Sequence, residues 1–170
     1  MTFLTARGWL AVTGAVSAGI AIIGFSELDT RSRTLVLNFF QEHLREPLFV
    51  GLLTVAAFLF SLQTFIVVTM KEHVYDTEAY ADRVEQLKAL NPKIKRYQPL
   101  DNFSYLLFLA ILLCFLSAVL QFSIGLVDAP WAGFMSLFGA VWSIEMIFVS
   151  LFYLQRNLRS WFDILDKGQK

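Results

Sequence analysis

One cysteine, Cys114, is all that this chain of 170 residues carries. A lone thiol excludes an intramolecular disulfide, and with it any thiol relay within one chain. Histidine is almost as scarce. His43 and His73 are the two, and both fall outside the long apolar runs, so a haem held in a membrane by paired histidines is excluded. Charge is thin: 16% of the residues are charged, where a soluble domain carries about 25%. The formal net charge is zero, so no bulk field draws nucleic acid, and no direct nucleic-acid contact is expected. There is no glycine-rich phosphate loop, and no histidine shares a level with a nucleophile, so a Ser-His-Asp arrangement cannot be assembled. Glu72, His73 and Asp76 could touch a metal, but their spacing is no recognised ligand set, and a solvated helix start accounts for them. The expectation is a protein that is not an enzyme and holds neither metal nor cofactor.

What fills the chain instead is hydrocarbon. Hydrophobic residues make up 56%, with 17 Phe among them, and the mean hydropathy is +0.58. Four segments approach the roughly 20 apolar residues that a membrane-crossing helix needs: Gly8–Phe25, Leu48–Met70, Phe103–Val127 and Trp131–Leu154. Arg7 ahead of the first run also resembles a signal peptide, but the segment is read as a membrane helix. Too little chain remains for a separate soluble core. The expected fold is all-α, a polytopic four-transmembrane-helix bundle forming one membrane domain over 1–170. It has an outer linker 26–47, a helical cytoplasmic loop 71–102 and a cytoplasmic tail 155–170.

Lysine and arginine orient it. Arg7, six basic residues in the loop 71–102 and four in the tail lie on one side, eleven in all. Arg31, Arg33 and Arg45 lie on the other. Basic residues collect on the cytoplasmic side, which puts both termini and the large loop there. The compact size suggests a bacterial inner membrane.

Both linkers carry helical patterns. Leu37, Phe40 and Leu44 recur at helical spacing. They predict either an amphipathic helix lying at the outer interface or an outward extension of the second span, with Pro47 suited to a first helical turn. In the loop, Asp76 or Thr77 can start a helix that Asn91-Pro92 ends. Its apolar stripe of Tyr80, Val84 and Leu87 has no cytosolic core of its own. The stripe therefore docks a neighbouring subunit, a soluble cytoplasmic protein or the base of the bundle. Lys93, Lys95 and Arg96 follow, a basic run that attracts anionic membrane lipid or a partner, or only fixes topology.

The residue that asks for an explanation is Glu145, in the middle of the run "VWSIEMIFVSLF". At a rise of 1.5 Å per residue it lies about 4 Å to the cytoplasmic side of its span's midpoint, and Gln63 lies about 6 Å to the same side of its own. Thr13 falls at a similar depth. Polar groups in hydrocarbon face a bundle interior or a wet cavity, so Thr13, Gln63 and Glu145 are expected to share a buried layer. Two readings compete. In one, Glu145 is neutral, hydrogen-bonded to Gln63, and glues helices together. In the other, several copies gather Glu145 into a cation-attracting ring.

Small residues mark the helix contacts. Ser136, Gly139 and Ser143 in the fourth run, and Ala15 and Gly19 in the first, let backbones approach and hydroxyls bond across. The expected function is a non-enzymatic homo-oligomer of the inner membrane whose loop and tail recruit or sense a soluble partner. Membrane components of bacterial phage-defence systems share this architecture, and the analogy extends no further. The alternative is a channel or pore subunit with Glu145 lining a cation path.

Overall fold

The computed structural model describes residues 6–90, 92, 95–127 and 129–168. Six α-helices account for most of them: α1 (Ala6–Glu27), α2 (Thr30–Phe39), α3 (Arg45–Met70), α4 (Glu78–Leu90), α5 (Gln98–Phe122) and α6 (Pro130–Gly168). No strand occurs among the described residues. Helices α5 and α6 form the middle of the bundle. Helix α3 lies along one side of α5, and α1 packs chiefly on α6.

The outer linker does not lie down. Asp29 is extended ahead of α2, and from Thr30 onward the backbone stays helical. One π-helical turn, Phe40–Leu44, joins α2 to α3, and a second, Lys71–Tyr75, follows α3. Thr30–Tyr75 is thus one helical stretch of 46 residues, about 69 Å long at 1.5 Å per residue. Of the two expectations for this linker, the extension of the span is the one observed. Leu37 and Phe40, the first residues of the apolar pattern, are buried, and α2 leans on the start of α6. The tail likewise prolongs a helix: α6 runs on to Gly168 because nothing between Gln155 and Gly168 breaks a helix. Helix α5 also starts early, at Gln98, with Pro99 in its first turn, where a missing N–H costs nothing.

Three helical stretches are long and apolar enough to cross a membrane: Thr30–Tyr75, Gln98–Leu126 and Trp131–Arg159. The apolar part of α1, Gly8–Ile23, is shorter. Its 16 residues cover about 24 Å against about 30 Å of hydrocarbon. The long helices are apolar all round. Phe65 on α3, Phe122 on α5 and Phe148 on α6 are each two-thirds exposed, and Phe58, Phe60, Phe108, Phe115 and Phe152 also point outward. Water does not tolerate such a surface on a monomer, whereas lipid does. The hydroxyls among them are closed off. Thr54, Ser61 and Thr64 each donate to the carbonyl four residues back, which removes an unpaired polar group from a face without water. The chain is compatible with an integral membrane protein.

Candidate functional site: the polar seams between helices

Three polar seams hold α1, α3, α5 and α6 together, and they differ in density. The α5–α6 seam is the richest. Ser117 Oγ donates to the Gly139 carbonyl at 2.6 Å. Ser143 Oγ lies 2.6 Å from Ser117 Oγ and reaches the Leu113 and Gly139 carbonyls. Gln121 Nε2 donates to the Ser136 carbonyl at 2.7 Å. Ser117, Gln121, Ser136 and Ser143 are all buried. Such bonds need close backbones. A Cβ on Gly139 would stand 3.1 Å from Ser117 Oγ and 3.3 Å from Leu120 Cδ1, so even a methyl group there would make both neighbours give way. Of the small residues singled out for helix packing, Ser136, Gly139 and Ser143 therefore make their contacts within this chain.

The α1–α6 seam is thinner. Trp142 Nε1 donates to Thr13 Oγ1 at 3.1 Å, and Ser17 Oγ donates to Glu145 Oε2 at 2.7 Å. Thr13 and Ser17 are buried while Glu145 is half-buried. The Trp142 ring lies against α1 because residue 14 has no side chain: a Cβ there would come within 2.9 Å of Trp142 Cζ2. The face of α1 that carries Thr13 and Ser17 meets α6. The face with Ala11 and Ala15 is exposed, and a Cβ on Gly19 would meet nothing within 4 Å.

Gln63 lies elsewhere. Its amide donates to the carbonyl and hydroxyl of Ser104 on α5, at 3.1 and 3.0 Å. The expected bond from Glu145 to Gln63 is thus replaced by one from Ser17. The reason is angular: α3 and α1 flank α5 and α6 from different sides, so equal depth does not bring Gln63 and Glu145 together. Thr13 and Glu145 share a seam, and Gln63 belongs to another.

Below the bundle a clasp holds the loop. Tyr75 is buried beneath Tyr80, ring against edge at 4.9 Å. Tyr80 Oη donates to the Arg96 carbonyl at 3.1 Å, and Arg96 Nε donates to the Tyr75 carbonyl at 2.8 Å. Tyr97 Oη donates to Asp76 Oδ1 at 2.6 Å. That bond to a carboxylate, together with some desolvation and the Asp76 charge, holds the Tyr97 phenol above its ordinary value near 10, with Arg96 pulling the other way. The residues expected to start α4 are engaged here: Asp76 accepts from Tyr97, and Thr77 Oγ1 donates to the Val74 carbonyl. Within the docking stripe, Tyr80 and Val84 are turned into the chain, and Leu87 stays 41% exposed. Of the basic run, Arg96 is built into the clasp, Lys95 is exposed and Lys93 lies outside the described residues.

Depth reasoning passed over Ser17, Ser104, Ser117, Gln121, Tyr75 and Tyr97. Two of the seams had a usable signal: Thr13 and Ser17 are four apart, as are Ser117 and Gln121, which stacks each pair on one helix face. No group of three or more His, Cys, Asp or Glu able to hold a metal occurs among the described residues. Comparison with protein-family models, with curated protein sequences and with solved structures finds no match for this chain.

Proposed function

We propose that this chain is a non-enzymatic membrane protein with four spans that assembles with copies of itself and presents α4 and the end of α6 to a soluble cytoplasmic partner. The observation that carries it is the clasp. Tyr75, Arg96 and Tyr97 anchor the chain on either side of α4, and Tyr80 ties its first turn to the Arg96 carbonyl, while Glu85, Gln86, Leu87, Lys88 and Ala89 stand exposed all round its later turns. A helix anchored at its start, with a mixed polar and apolar exposed end, suits recognition better than simple connection. The orientation rests on the eleven basic residues on this side. Self-association rests on the exposed Ala11–Ala15–Gly19 face of α1, where another helix could approach closely.

Glu145 enters this reading as internal glue. Its partner is Ser17 of the same chain, a contact that ties α1 to α6 and leaves no need for an ion. A photo-crosslinking side chain placed at Leu87 should capture one discrete soluble protein in cells, and the same probe at lipid-facing Leu112 should capture none. Adducts from position 87 to lipid alone would overturn the recruitment role.

A further inference from the structure

We draw no further inference here: the strongest candidate, the apolar groove between α1, α2 and α6, carries nothing because Arg33 at its mouth is committed to the Leu28 and Ser26 carbonyls and nothing in the structure shows what fills it.

Discussion

Helix α6 packs on both α5 and α1 and treats them differently. Against α5 it offers Ser136, Gly139 and Ser143, and the reply is Ser117 and Gln121, all buried. Against α1 it offers Trp142 and Glu145, and the reply is Thr13 and Ser17. The first seam is made of short polar groups on backbones in close approach. The second sets two long side chains of α6, Trp142 and Glu145, against two short hydroxyls of α1. In lipid the hydrophobic effect does not press helices together, so packing and hydrogen bonds decide how tightly a pair holds. The α5–α6 pair is thus the fixed centre of the bundle, and α1 is its loosest member.

The sharpest way to break that contrast is at Gly139. Leucine there must displace Ser117 and Leu120 from van der Waals contact. It should cost about 3 kcal/mol, the upper part of the usual range for overpacking. Thermal unfolding in detergent should show a large drop in Tm, together with lost expression.

Glu145 probes the weaker seam. Glu145→Leu removes the acceptor for Ser17 and should cost about 0.6–2 kcal/mol. The cost is limited because the freed hydroxyl can turn to the carbonyl of Thr13, one turn back on its own helix. Glu145→Gln keeps an acceptor and should be nearly silent in unfolding assays. It should also leave ion flux in reconstituted vesicles unchanged. A wild-type cation flux that the Gln variant loses would move Glu145 from glue to the lining of a path.

Ala15→Leu should do less still to the monomer, because Ala15 faces outward. Its effect should appear in assembly: a lower oligomer mass by native mass spectrometry at an unchanged Tm.

The smallest effect lies in the clasp. The Tyr97 phenol is raised by its bond to Asp76, so what it contributes is fully present below pH 10. It fades as pH rises through the elevated folded value, when the proton that Asp76 accepts is lost. The ring is exposed to solvent, so the change should be slight. An alkaline titration followed by tyrosinate absorbance should show one late-titrating phenol that is missing in Tyr97→Phe, with the membrane helices unmoved.

Much of this architecture could be read from the residues, and the limits of that reading are instructive. Apolar length located the three long helices, because a run of 20 or more such residues has few alternatives. A fixed rise per residue placed Thr13, Gln63 and Glu145 at similar depth. Rise says nothing of rotation, and so Gln63 was assigned to Glu145 when its partner is Ser104. The linkers were legible only in part. The spacing of Leu37, Phe40 and Leu44 left open a helix lying at the interface or an extension of the second span, and the extension is observed; charge marks where a helix leaves the membrane but not where it stops, so the run of α6 to Gly168 had no signal. The stripe of Tyr80 and Val84 was visible as apolar spacing. What it faces depended on Tyr75 and Tyr97, two rings 22 residues apart in the chain that no local pattern connects.

The two π-helical turns that bracket α3 bear on how the gene can change. Elsewhere in a long helix, removing one residue turns everything beyond it by about 100° and swaps lipid-facing for buried positions. A π turn already holds one residue more than an α turn needs. Deleting a residue within Phe40–Leu44 or Lys71–Tyr75 would relax that turn to α and leave both flanking faces where they were. The chain thus has two points at which its length can drift by one without scrambling the bundle, and they sit at the two ends of α3.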